Sequence, residues 1–203
     1  MSLKNHWENI YASKTENQMS WYEEYPAVSM KYFEEKNLPK DAAIIDVGGG
    51  QSRFAEILID KGFTNVSVLD ISASAIENNK KRIGNKAKKI KWIVSDINSF
   101  NPGEKYSFWH DRAVLHFLKE DDQIKDYLHR ADLFINEKGY LILGTFSDKG
   151  PTQCSGLDIR QYTENSMTEL FGSSFEKLYC EEVNHLTPAK KEQNFVFCNF
   201  RHK

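Results

Sequence analysis

The stretch Ala43-Ile44-Ile45-Asp46-Val47-Gly48-Gly49-Gly50-Gln51-Ser52-Arg53 decides how the rest of the chain is read. Its apolar run Ile44–Val47 predicts a buried parallel strand, because a strand covered by helices on both faces needs no polar alternation. Phe54-Ala55-Glu56-Ile57-Leu58-Ile59 then predicts a helix, with three glycines at the bend between the two. Strand, glycine turn and helix open a doubly wound sheet, in which missing Cβ atoms let a ligand lie against the backbone at the carboxyl end of the first strand. A dinucleotide fingerprint Gly-x-Gly-x-x-Gly counted from Gly48 and Gly50 requires glycine where Arg53 stands. Asp46, two residues before the first glycine, would repel a pyrophosphate and attract a cationic ligand.

Further along, Val66–Asp70 predicts the second strand and Ala73–Ile83 its helix. Asp70 lies about twenty residues beyond the glycines, the offset at which an acid accepts ribose hydroxyls; it or Ser72 also suits a helix cap. Ile90–Val94 predicts the third strand, followed by Asp96 and Ile97, an acid and an apolar edge suited to adenine. Asp46, Asp70 and Asp96 thus fall in register at one rim of the predicted sheet. Tyr106–His110 predicts a fourth strand, leading into Asp111, Arg112 and Ala113. A helix runs from Glu120 to about Phe134, and Tyr140–Phe146 is the fifth strand. A long loop Ser147–Tyr162, of a length that is often functional, precedes a helix near Glu164–Phe171. Phe175–Asn184 and Asn194–Arg201 predict a terminal antiparallel hairpin. Ahead of all this, Trp7, Ile10 and Tyr11 share a helix face, and Pro26 starts a second helix to about Lys36. The aromatic residues of this segment read either as packing or as a lid, with Trp21 or Tyr22 against the ligand.

Composition narrows the class. The chain has 203 residues, 40% hydrophobic and 28% charged, with a formal net charge of -2. That is enough for one domain with a sizeable core, and no net field draws in nucleic acid or anionic membrane. Lys80–Lys91 carries seven basic residues but no interleaved aromatic platform, and reads as a solvated helix end. No apolar run is long enough for a membrane span, and no secretory or transit pattern opens the chain. Cys154, Cys180 and Cys198 form no metal-ligand or redox spacing, and their odd number fits a reducing cytoplasm. The expectation is one cytoplasmic domain over residues 1–203, with a helical extension over 1–40 and the core over 41–203.

Asp46-x-Gly48-x-Gly50-x-Ser52 resembles the first motif of the class I S-adenosylmethionine-dependent methyltransferases, whose last position is commonly glycine. The resemblance runs from Trp21-Tyr22 to the terminal hairpin. It is nearest a methyltransferase-like group that includes lysine methyltransferases of elongation factor 1A and of citrate synthase. It implies a Rossmann-like α/β fold, a doubly wound seven-stranded sheet of order 3-2-1-4-5-7-6 with one antiparallel strand. It implies S-adenosylmethionine as cofactor and S-adenosylhomocysteine as product. Asp46, Gly48 and Gly50 would line the methionine moiety, Asp70 would hold the ribose, and Asp96 with Ile97 the adenine. Trp21, Gly49 and Ile71 would also contact the cofactor. Asp111 would face the transferred methyl. Where those lysine methyltransferases carry an Asp-Lys-Gly type motif after strand four, this chain has Asp111-Arg112-Ala113, a departure from the protein-lysine pattern. No Asn-Pro-Pro-Tyr-like motif is present.

In that reading Asp111 orients the acceptor and His110 or His116 assists proton loss, since imidazole titrates near neutrality. Arg112 would pair with a substrate carboxylate, and Cys154 would line the acceptor pocket. The acceptor is a small molecule or a protein, with nucleic acid and membrane disfavoured. A catalytically silent binding module and a nicotinamide-dependent oxidoreductase are the alternatives.

Overall fold

The computed structural model describes residues 2–203. Helix α1 spans Leu3–Ser13, capped by the Ser2 hydroxyl, which accepts the Asn5 N–H at 3.2 Å. A short 3₁₀ turn, Glu16–Gln18, leads to α2, Ala27–Glu34. There follow β1 (Ile44–Val47), α3 (Phe54–Asp60), β2 (Val66–Asp70), α4 (Ala73–Ile83) and β3 (Ile90–Val94). The second half comprises β4 (Tyr106–Arg112), α5 (Asp121–Phe134) and β5 (Ile135–Phe146). It continues with a small hairpin of β6 (Gln153–Cys154) and β7 (Leu157–Asp158), then α6 (Glu164–Phe171), β8 (Phe175–Leu186) and β9 (Glu192–His202). Seven strands form one sheet in the order β3-β2-β1-β4-β5-β9-β8. β1 to β5 run parallel, and β9 alone opposes them, pairing antiparallel with both β5 and β8. With the small hairpin set aside, this is the expected doubly wound order.

Alternation along the strands divides the core into two layers. Val47, Trp109, Leu141 and Phe200 pack with Tyr127 and Phe134 of α5 and Phe171 of α6. On the opposite face Ile44, Phe108, Ile142 and Phe197 pack with Phe33 of α2 and Phe54 and Leu58 of α3. Burial of both faces removes most apolar strand surface from water, which is the principal force holding such a sheet. α1 belongs to neither layer. Its Trp7 and Tyr11 join Met19 and Ala75 in a third cluster at the sheet's carboxyl rim.

Three sequence expectations change. β4 extends past His110 to Arg112, because Asp111 and Arg112 continue the pairing with Leu143 and Gly144 of β5. The loop Ser147–Tyr162 contains the β6–β7 hairpin. Cys180 and Cys198, expected as unpaired thiols, face one another across β8 and β9 and form a disulfide, leaving only Cys154 free. Strand pairing between residues 18 apart in sequence carries no signature in cysteine spacing. Two of the three cysteines are therefore not the unpaired thiols that a reducing compartment keeps.

The basic run at the end of α4 is partly neutralised within the fold. Lys80 pairs with Glu77, Arg82 with Glu56, Lys86 with Asp60 and Lys91 with Glu104. Among the described residues no helix is long and apolar enough to cross a membrane.

Candidate functional site

The carboxyl ends of β1, β2 and β4 converge on two adjoining cavities. The larger encloses ≈ 860 Å³ of empty space, part of it open to solvent. The smaller shares Trp21, Val47, Gly48 and Arg112 with it and reaches beneath the glycine turn to Asp46, Gly49 and His110. Crevices at this rim are where open α/β sheets bind ligands.

Asp46 sits on β1, 1% exposed. Its Oδ1 accepts the Nδ1–H of His110 at 2.7 Å, and its Oδ2, fully shielded, has no hydrogen-bond partner among the described residues. Leaving a buried carboxylate oxygen unpaired is costly unless a ligand supplies the donor. A Cβ on Gly49 would collide with that oxygen, and one on Gly50 would meet Asp70 Oδ2 at 2.5 Å. Gly48, with φ +68°, occupies the left-handed region. The glycines thus keep clear the space into which both carboxylates point.

Asp70 ends β2. Its Oδ2 accepts the Gly50 N–H at 3.0 Å and its Oδ1 the Ser72 N–H at 2.8 Å. Each oxygen retains a lone pair toward the larger cavity, where Asp70 is part of the wall. Burial raises its pKa to about 6, against the opposing effect of those two backbone donors. Ser72 is the N-cap of α4, accepting the Ala75 N–H at 3.1 Å, so the capping and binding readings of this turn coexist. Asp96 uses Oδ1 to accept the Asn98 N–H at 2.9 Å and, with Ile71 and Ile97, lines the far end of the cavity.

Of the three residues expected to be catalytic, His110 lines the smaller cavity, and Asp111 and His116 line neither. Asp111 is completely buried and belongs to neither cavity. Its Oδ1 accepts the Val114 N–H at 2.8 Å and its Oδ2 the Tyr127 hydroxyl at 2.6 Å. The extension of β4 turns this side chain toward α5, so it organises the turn after β4 rather than facing a reacting group. His116 is also fully buried outside both cavities; the Phe146 N–H reaches its Nδ1 at 3.5 Å. Burial, reinforced by Arg112, pushes its pKa down to about 3, so it stays neutral. His110 reaches the smaller cavity, but Nδ1 is committed to Asp46 and Nε2 meets Ser29 Oγ at 2.8 Å. A ring held at both nitrogens positions Asp46 and has no free valence for acid–base work.

Arg112 and Cys154 do line the larger cavity, and Trp21 lines both. The Arg112 Nη1–H donates to the Trp21 carbonyl at 2.8 Å, and Nη2 lies 3.4 Å from Glu23. Burial raises the Cys154 pKa to about 11, so it stands as a neutral thiol. Next to Arg112, Ala113 adopts φ 74° and donates its N–H to Gly144 O at 2.7 Å. A non-glycine residue held in the left-handed region on a cavity wall is the kind of strain that clusters at functional sites.

Sequence reasoning missed several members. Glu8 of α1 accepts from the Ser72 hydroxyl and the Ala73 and Ser74 N–H groups at 3.0, 2.8 and 3.0 Å, fastening α1 to the start of α4. His185 of β8 donates from Nε2 to the Ser20 carbonyl at 2.7 Å, and Glu23 lies 3.3 Å from its Nδ1. Ser29 and Gln193 were unremarked as well. Glu8, His185 and Ser29 each act across more than sixty residues of chain, where no local pattern exists to read.

Residues 27–196 match the model of a family described as AdoMet dependent proline di-methyltransferase. A malonyl-[acyl-carrier protein] O-methyltransferase of Ilyobacter polytropus is 31% identical over 104 residues, 51% of this chain and 39% of that protein. The chain therefore spans only about two fifths of that relative. An EEF1A lysine methyltransferase of Mus musculus is 23% identical over 197 residues, covering 87% of this chain and 72% of its own length. Among solved structures, the N-methyltransferase NodS of Bradyrhizobium japonicum in complex with S-adenosyl-L-homocysteine matches with TM-score 0.71 over 99% of both chains, at 14% identity. At that identity the likeness shows the fold alone.

Proposed function

Because the chain belongs to the AdoMet dependent proline di-methyltransferase family, we propose that it is an S-adenosylmethionine-dependent methyltransferase. The observation that carries this reading is the unpaired Oδ2 of Asp46 beneath the glycine turn. A carboxylate oxygen in that position fits the ammonium of a methionine moiety and opposes a pyrophosphate. The remaining residues fit the same cofactor: the free lone pairs of Asp70 suit two ribose hydroxyls, and Asp96 with Ile71 and Ile97 suits adenine. Trp21 borders both cavities, where an aromatic face attracts a cation. When bound, the cofactor supplies an activated methyl. The protein aligns the acceptor with it and keeps water out, the second task falling to α1 and Trp21.

The acceptor is a small molecule or a protein group. Two relatives are named for O-methylation of malonyl-[acyl-carrier protein] and for lysine methylation of EEF1A. Calorimetry with S-adenosylmethionine, S-adenosylhomocysteine and NAD tests the assignment: both sulfur compounds should bind and NAD should not. Methyl transfer from labelled cofactor into fractionated extract, lost in Asp46→Asn, separates an enzyme from a silent binding module. NAD binding without response to either sulfur compound would overturn the reading.

A further inference from the structure

Helix α1 lies along the rim of the larger cavity and presents Leu3, Trp7 and Tyr11 to it. Tyr11 brings a hydroxyl to that wall. Its ring is 6% exposed and packs against Trp7 and Trp21, with centroids 6.0 and 6.2 Å away. Its backbone carbonyl turns toward α4, where it accepts the Asn78 Nδ2–H at 2.9 Å. The hydroxyl makes no hydrogen bond to any of the described residues. A phenol on so buried a ring ordinarily finds a partner.

The fastening of α1 gives this hydroxyl its place. Glu8, three residues before Tyr11 and so on the same helix face, accepts from Ser72, Ala73 and Ser74, which follow Asp70 almost directly in the chain. Tyr11 is thereby set over the turn that Asp70 begins. Burial holds the phenol well above its ordinary pKa, and the nearby Asp70 and Cys154 of the cavity wall add to this, so it stands there as a neutral O–H donor. Asp70 can only accept. A ribose hydroxyl that donates to Asp70 keeps oxygen lone pairs of its own, and under the cover of α1 they need a donor.

We propose that Tyr11 is a second ribose ligand, its hydroxyl donating to a ribose oxygen whose own O–H donates to Asp70. This rests on the methyltransferase reading above. The diol of the cofactor is then read from two sides, by an acceptor at the end of β2 and by a donor on α1. The helix that covers the cavity takes part in binding, and the bound cofactor ties it down at Tyr11 as Glu8 does in its absence.

The full chain and Tyr11→Phe, which keeps the ring and removes only the hydroxyl, should be titrated calorimetrically with S-adenosylhomocysteine and with its 2′-deoxy and 3′-deoxy analogues. Tyr11→Phe should bind S-adenosylhomocysteine about three- to ten-fold more weakly. With one of the two deoxy analogues, the one lacking the oxygen that Tyr11 meets, the two proteins should bind alike. An equal loss with all three compounds would make Tyr11 a packing residue and overturn the proposal, as would no loss at all. Hydrogen exchange on the unaltered chain decides the matter even if Tyr11→Phe fails to fold. At saturation S-adenosylhomocysteine should protect Leu3–Ser13 more than at least one deoxy analogue does, and equal protection by all three overturns the proposal. Either result leaves the cofactor reading intact; failure of S-adenosylhomocysteine to bind the unaltered chain overturns that reading first.

Discussion

The Nδ1–H of His110 donates to Oδ1 of Asp46 at 2.7 Å, and this one bond fixes which oxygen of the carboxylate is left for a ligand. The ring is itself held by Ser29 of α2 at 2.8 Å and stacked on Phe54 of α3, with centroids 4.4 Å apart. Three elements therefore determine the direction of one side chain beneath the glycine turn. Positioning of this kind lets a carboxylate act without reorganising when the ligand arrives.

If that oxygen receives the cofactor ammonium, Asp46→Asn should weaken S-adenosylhomocysteine binding by about 1.5–3 kcal/mol, the usual worth of a hydrogen bond to a charged group. His110→Ala should weaken it less, because the carboxylate remains but loses its orientation. Calorimetry on variants with unchanged circular dichroism checks both, and affinity unaltered in Asp46→Asn would remove the assignment.

Asp70 should make binding depend on pH. Its pKa of about 6 in the free protein means that much of it is protonated below that value. Ribose hydroxyls favour the ionised form, so binding should tighten as pH rises from about 5 to 7 and should release protons at pH 6. Titrations in two buffers of different ionisation enthalpy measure that release. In Asp70→Asn the affinity should be lower and its slope across this window flatter.

Asp111 concerns stability instead of binding. Burial raises its pKa to about 6, above the ~3.9 of an exposed aspartate, so the native state holds the proton more tightly than the unfolded chain. Its contribution favours the fold fully below about pH 4 and is lost as pH climbs through 6, a change of about 2–3 kcal/mol. Denaturant melts of Asp111→Asn should show a smaller fall in stability between pH 4 and 7. Cofactor affinity at pH 7.5 should be close to that of the unaltered chain, because Asp111 lines neither cavity.

The disulfide gives a chemical prediction. Without reductant, denatured protein should yield one reactive thiol, Cys154, and three after reduction. Closing a loop of 18 residues constrains the unfolded chain by about 3 kcal/mol. Reduction or Cys180→Ser should lower stability by up to that amount and leave the cavities, which neither cysteine lines, intact. Three thiols titrating without reductant would show the pair to be open.

Glu8 tests the attachment of α1. Glu8→Ala removes three hydrogen bonds at the start of α4 and should cost about 1–2 kcal/mol. Hydrogen exchange should rise across Leu3–Ser13 with little change in β1 or β4. Equal protection in both proteins would mean that Trp7 and Tyr11 alone hold the helix down.

Local order settled a great deal in advance. Ile44–Val47, Val66–Asp70, Ala73–Ile83 and Ile90–Val94 each run where hydrophobic period and capping residues predict, because burial on one face or two writes itself into adjacent residues. The glycine turn with Asp46, and the acids Asp70 and Asp96 one strand apart, could be read for the same reason: each lies at the end of a recognisable strand. The roles of Asp111, His110 and His116 could not. Whether an imidazole serves as a base depends on what meets its nitrogens, and for His110 those partners are Asp46 and Ser29, 64 and 81 residues away. The pairing of β4 with β5 through Arg112 turned Asp111 toward Tyr127, and the pairing of β8 with β9 brought Cys180 to Cys198. Sequence by itself determined the wound sheet and its acidic rim, since both follow from period and position along the chain. Tertiary structure decided which polar atoms are satisfied and which are left open, because that is set by contacts between segments that no local pattern records.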